Sequence, residues 1–267
     1  MAELPGWKLH VVGTATVICG NLAITAKHVL EHTIKTFGAR RTERGVEIDG
    51  HSLRLYQVLR GPVYRIWNVF TAWVCPSDIA ILHIGLDGTS APEEPLDWRA
   101  PVLRVTPPPS GQKVIAFGYR ESQIEVTEGA DGVHHIVLND IGTTSIGEVG
   151  RIFPHRRDSS MLTFPCFEVH ARFAPGMSGG LIIDEDGALC GLVCAGTNLS
   201  DPSTPPLSYA ATLWPMLTTE ISANRGDKYP RDVKYQMIEL AIDKLITCKG
   251  LEGLDPTVFA GRVLPRP

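Results

Sequence analysis

Apolar and polar positions along this chain trade places every few residues, and the apolar runs are short. Runs rich in Val, Ile, Leu and Thr cover residues 8–12, 14–19 and Leu22–Thr25, then 52–59, 63–73 and 79–84. Each is bounded by Gly, Pro or Asp, the punctuation of strands joined by turns. A second series follows at residues 113–117, 124–127, 134–138, 147–151, 166–170, 180–183, 189–194 and 208–211. Between the two series lie a connector, residues 98–106, and the run Pro107-Pro108-Pro109-Ser110-Gly111, the clearest break in the chain. Two comparable sets of strands around a Pro-rich joint predict an all-β protein of two barrels or sandwiches, which periodicity alone does not separate. From residue 232 to 248 the apolar spacing becomes helical, with Val233, Met237, Leu240, Ala241, Leu245 and Ile246 on one stripe before Gly250. One C-terminal α-helix packing on the second barrel is expected. The domains then read as 1–106, 107–219 and a helical extension, 220–267.

Composition narrows the function without naming it. The 267 residues include 26 Gly and 20 Pro, more than helices tolerate internally, and carry a net charge of −4 with no basic stripe. The pairs Arg40-Arg41 and Arg156-Arg157 are too short to form an electrostatic footprint for nucleic acid. No apolar run has the length to span a bilayer, and residues 1–6 lack the basic and apolar regions of a secretory signal. A cytoplasmic protein is expected, with neither nucleic-acid nor membrane partners. The six cysteines form no tight framework, and Cys190 and Cys194, four apart in one strand, are too distant for an unstrained disulfide. Free buried thiols are expected. His28 and His32 share a helical face but lack a third ligand, so neither a metal nor any other cofactor is called for.

Candidate chemistry gathers at Gly176-Met177-Ser178-Gly179-Gly180. A serine hydroxyl becomes a nucleophile only beside a base that a third group orients. The spacing also fits the nucleophile elbow of α/β-hydrolases, whose order is Ser, Asp or Glu, then His. All nine histidines precede Ser178, so that order has no base left. The reverse order is available: His28 in Ile24-Thr25-Ala26-Lys27-His28, then Asp78 in Asp78-Ile79-Ala80-Ile81-Leu82, then Ser178.

With those three segments in that order, the chain resembles trypsin-like serine proteases of the chymotrypsin clan. Thr25-Ala26-Lys27-His28 is similar to the family's T-A-x-H segment, and Asp78-Ile79-Ala80 to its D-I-A segment. Gly176-Met177-Ser178-Gly179-Gly180 is similar to its G-x-S-G-G loop. Pro175 and Met177 bring that loop nearest the high-temperature-requirement branch. The resemblance implies a double barrel of two six-stranded antiparallel β-barrels, the first carrying His28 and Asp78, the second Ser178. It implies catalysis by His28, Asp78 and Ser178, with an oxyanion hole of the Gly176 and Ser178 N–H groups. A substrate pocket is implied along Arg172, Phe173, Ala174 and Pro175 and along Val193, Cys194, Ala195 and Gly196. Arg172 lies near the position where trypsin carries its specificity aspartate, so cleavage after Lys or Arg is not expected. Met177 stands where secreted relatives carry the aspartate that pairs with a new N-terminus, so that switch is not expected either. The function implied is an intracellular serine endopeptidase with few protein or peptide targets, restrained by a protein partner or a disordered oxyanion loop. The alternative is a catalytically silent peptide-binding module.

Overall fold

Alternating burial builds the first half of the molecule. The computed structural model describes residues 2–4, 7–37, 40–42, 45–47, 53–58, 64–88, 99–128, 134–196, 205–230 and 233–254. Its first elements are β1 (Ala2–Leu4), β2 (Trp7–Leu9), β3 (Ala15–Cys19), β4 (Leu22–Thr25), α1 (Lys27–Phe37), β5 (Arg40–Thr42), β6 (Gly45–Glu47), β7 (Arg54–Val58), β8 (Tyr64–Val74) and β9 (Ala80–Leu86). Strands β3, β4, β9, β8 and β7 lie side by side in that order in one antiparallel sheet, whereas β1–β2 and β5–β6 form separate hairpins. The first sheet thus has five strands among the described residues, not the six expected. Ala23, Ala80, Leu82 and Ile84 pack on one of its faces with Leu30 of α1. Leu22, Ile24, Ile79 and Ile81 point the other way, into a cluster shared with the second half. Burial on both faces is why Leu22–Thr25 is apolar nearly throughout.

The second half closes on itself. Its strands are β10 (Leu103–Arg104), β11 (Lys113–Glu128), β12 (His134–Phe153), β13 (Cys166–Val169), β14 (Leu181–Asp184), β15 (Leu189–Gly196) and β16 (Ser208–Ala211). The order β14-β11-β12-β13-β16-β15, with β15 also paired to β14, makes a closed antiparallel barrel of six strands. Closure leaves no free edge around the ring. Val114, Ala116, Val149, Phe167, Val169, Phe173, Met177, Ile182 and Val193 fill it.

Several expectations change in detail. Residues 113–117 and 124–127 join as the single strand β11, because a bulge between Arg120 and Gln123, with Glu121 at φ 52°, absorbs the polar break while pairing to β12 continues. The segments 134–138 and 147–151 likewise join as β12. The connector is not outside the barrels: Leu103–Arg104 run parallel to β15 and to β19 (Cys248–Lys249), so two residues assigned to the first domain belong to the second sheet. The helix over 232–248 shrinks to α2 (Met237–Ile242). Before it, β18 (Tyr235–Gln236) pairs with β17 (Glu220–Ile221), and extended Gln236 forms a capping box with Glu239 that starts the helix at Met237. Lys244 at φ 59° lies just beyond its end, and Val233 and Leu245 of the expected stripe are exposed. All six cysteines are free. Burial pushes the Cys75 and Cys166 thiols up, to about 12 and about 11.

Candidate functional site

Strand register brings the first two candidates together. Thr25 pairs with Ala80 and Ile24 with Ile81. The chain leaving β4 and the chain entering β9 therefore share one end of the sheet, with His28 three residues after Thr25 and Asp78 two before Ala80. His28 is the second residue of α1, and its N–H donates to Asp78 Oδ1 at 3.0 Å. The carboxylate thus sits at a helix N-terminus, where free N–H groups and the helix dipole favour negative charge. Asp78 Oδ2 lies 2.8 Å from His28 Nδ1. A carboxylate there accepts the Nδ1 proton, which leaves the Nε2 lone pair of the neutral ring outward. The His28 side chain is 45% exposed and that of Asp78 only 9%, so a reactant reaches the imidazole but not the acid behind it. The bond to Asp78 raises the His28 pKa above 6.5, outweighing burial, which acts in the opposite direction.

Ser178 lies on the loop from β13 to β14 and is half-buried. Met177 N–H donates to Ala174 O at 3.2 Å around Pro175 and Gly176, with Gly176 at φ +91°. Proline followed by a glycine at positive φ makes this a type II turn. Neither the Gly176 nor the Ser178 N–H donates to another group among the described residues. Met177 is fully buried in the second barrel, its Sδ accepting the Ala174 N–H, so an apolar anchor stands where secreted relatives place an acid. Gly179 has φ +82°, and a Cβ there would overlap Thr14 O and Thr25 Oγ1 and lie 2.9 Å from Ala26 N. The glycine next to Ser178 is therefore pressed against the segment that leads into His28. Gly179 N–H donates to Val193 O and Val193 N–H to Gly180 O, both at 2.9 Å, which ties the loop to β15. No hydrogen bond joins Ser178 Oγ to His28 among the described residues.

The expected pocket residues divide. Arg172, Pro175 and Gly196 are exposed, and Ala174 and Ala195 half-buried. Phe173 and Val193 are buried in the barrel core, and Cys194 is buried with its thiol donating to Tyr209 O at 3.1 Å. Val193 and Cys194 enter clusters on opposite, covered faces of β15, and Phe173 is buried from the neighbouring loop, so what these three residues can offer a peptide is backbone. A Cβ on Gly196 would lie 2.8 Å from Phe173 O, which brings the two expected walls into contact at that point. Thr14 and Thr25 also touch the site; the sequence reading named Thr25 only as part of the histidine segment and missed Thr14. Threonines at strand ends carry no signal that sets them apart.

A curled five-stranded sheet that carries a His–Asp pair and a closed six-stranded barrel that carries a glycine-rich serine loop have the architecture of chymotrypsin-like serine endopeptidases. Residues 13–192, well over half of the chain, match the family model of the trypsin-like peptidase domain, and the chain belongs to that family. No curated protein matches it. Among solved structures it is similar to the active form of the Rv3671c protease from M. tuberculosis, at 17% identity and TM-score 0.43, covering 82% of this chain and 77% of that one. It is also similar to the HtrA-type protease AlgW with decapeptide, at 18% identity and TM-score 0.44, covering 75% of this chain and 48% of that one.

Proposed function

We propose that this serine protease cuts peptide bonds through a triad of Ser178, His28 and Asp78 and a covalent acyl-enzyme. Ser178 Oγ attacks the scissile carbonyl carbon while its proton passes to His28 Nε2. The C–N bond then breaks as that proton moves to the leaving amine, and water repeats the sequence to release the acid and restore Ser178. Asp78 holds the ring in the required tautomer and stabilises it when charged. The Gly176 and Ser178 N–H groups receive the developing oxyanion, each such donor being worth about 100-fold or more in kcat. The two-point bond from His28 to Asp78 is the observation that carries this reading. The missing Ser178–His28 bond is compatible with it, since catalytic contacts tighten once a substrate is bound.

The finer parts of the proposal follow from the same residues. Arg172 brings positive charge to the expected pocket, whose eight residues include no acid, so cleavage falls after residues other than Lys or Arg. The type II turn and the buried Met177 support an oxyanion loop ordered without a new N-terminus, which leaves a protein partner as the restraint on a narrow set of targets. Six free cysteines support work in a reducing, cytoplasmic compartment. Among the described residues, no helix is long and apolar enough to cross a membrane. A fluorophosphonate probe tests the core claim: it should label the protein, and both labelling and casein hydrolysis should vanish in Ser178→Ala. Labelling that persists in that variant would rule out Ser178 as the nucleophile, and labelling that never occurs would leave the peptide-binding module as the better reading.

A further inference from the structure

Thr14 engages every polar group it has, and each bond reaches a segment of the site. Its N–H donates to Ser178 O at 3.0 Å. Its hydroxyl donates to Gly176 O at 3.3 Å and accepts the Tyr119 N–H at 3.1 Å. Its carbonyl accepts the Thr25 hydroxyl at 2.6 Å, three residues before His28. Thr14 leads into β3 of the first sheet, whereas Gly176, Ser178 and Tyr119 belong to the second barrel. It is 6% exposed, so water does not readily replace these bonds.

We propose that the Thr14 hydroxyl is the positioning group that aims the Gly176 donor of the oxyanion pair, an inference that rests on the triad reading above. A peptide N–H is oriented by the planes around it, and the carbonyls of both donor residues end on Thr14. Gly176 needs such a tie most, because a glycine at φ +91° has wide conformational freedom and no side chain to hold it. The tie also reaches β11, where Tyr119 O and the Arg120 Cα would lie 3.0 and 3.2 Å from a Cβ placed on Gly176. One hydroxyl therefore fixes the distance between the turn and the strand behind it. Valine has the shape of threonine but neither donates nor accepts, and would leave Gly176 O and Tyr119 N–H without that partner. Serine keeps both functions.

The test follows fluorophosphonate inactivation, in which Ser178 Oγ bonds to phosphorus, fluoride leaves, and the phosphoryl oxygen occupies the oxyanion hole. In Thr14→Val the limiting rate constant should fall about 10- to 100-fold, the scale of a small misplacement of reacting groups, while half-saturation changes little. Thr14→Ser should recover most of the rate, and the melting temperatures of the serine variant and wild type should agree. A rate in Thr14→Val equal to wild type would overturn the proposal, as would a fall that Thr14→Ser does not rescue. If Thr14→Val fails to fold, Thr14→Ala replaces it, and equal rates for the alanine and serine variants would count against a role for the hydroxyl. Ser178→Ala separates the two levels: residual labelling there sinks the triad itself, whereas a dead Ser178→Ala beside a fully active Thr14→Val sinks only the positioning role.

Discussion

At the scale of single residues, His28 and Asp78 form a coupled unit whose charge is set by one 2.8 Å contact. His28 accepts a proton only when neutral, so activity should rise with pH as the imidazolium deprotonates. The bond to Asp78 raises that pKa above 6.5, which puts the acid limb of kcat/KM on the alkaline side of an ordinary histidine. Asp78→Asn removes the charge but keeps an oxygen for the His28 N–H, so α1 should keep its start. Its amide can also donate to Nδ1 and select the wrong tautomer. Activity should fall by about 10⁴, the loss known for this change in a related triad, and the residual acid limb should move to lower pH. A pH–rate profile of the variant with the limb unmoved would refute the coupling. Stability has a matching sign: the folded pKa is the higher one, so the protonated pair contributes fully below the unfolded pKa of about 6.5. That contribution is lost as pH rises through the folded value, and Asp78→Asn should flatten this part of the stability profile.

At the scale of elements, Asp184 shows how short strands without sequence signal are held. It closes β14 with a fully buried side chain, and its Oδ1 accepts the Ala188 N–H at 2.8 Å and the Asp186 N–H at 3.0 Å. Its Oδ2 meets Arg104 of β10 and Lys249 of β19, each at 3.0 Å. Burial acts to raise its pKa, but the Ala188 N–H and the Arg104 and Lys249 charges prevail and hold it below the usual value. Its contribution is therefore present above the unfolded pKa and lost as pH falls through the folded one. Asp184→Asn should destabilise the protein by about 3 kcal/mol near neutrality, the scale of breaking a buried ion pair. The gap to wild type should narrow in acid, as denaturant melts at several pH values would report; a constant gap would argue against the ionic origin. Such ties explain what the sequence hid. β10 and β19 exist because Arg104 and Lys249 find Asp184 across the fold, and no local pattern announces a two-residue strand. α2 is shorter than its apolar stripe because Tyr235–Gln236 pair with residues some fifteen positions earlier. The strands of the barrels and the three motif segments were legible, since alternation records burial and the chemistry restricts residue type. Thr14 was not, because its importance lies in four partners from distant segments.

At the scale of the whole molecule, the C-terminal segment acts as a wall common to both halves. Ile221, Ala223, Tyr229, Tyr235, Met237, Leu240 and Ile246 enter one apolar cluster with Ile18, Leu22, Ile24, Ile79 and Ile81 of the first sheet and Leu189, Leu192 and Tyr209 of the second. Polar contacts reinforce it: Asn21 donates to Asn224 O at 2.6 Å, Arg225 donates to Asn21 Oδ1 at 2.6 Å, and the Tyr235 hydroxyl donates to Ala223 O at 2.6 Å. The site lies where the two halves meet, so the wall that joins them also governs whether Ser178 faces His28. Removing everything after Thr219 would expose that cluster on both sides, and the shortened chain should neither fold cooperatively nor react with a fluorophosphonate. Tyr235→Ala is the finer probe. It should cost roughly 3–5 kcal/mol, the range for deleting a buried aromatic ring, and protease protection should fall in parallel for peptides of the first sheet and of the second barrel. Loss confined to the second barrel would mean that the segment is an appendage of that barrel alone, and the two halves would then be held together chiefly through Thr14 and the Ser178 loop.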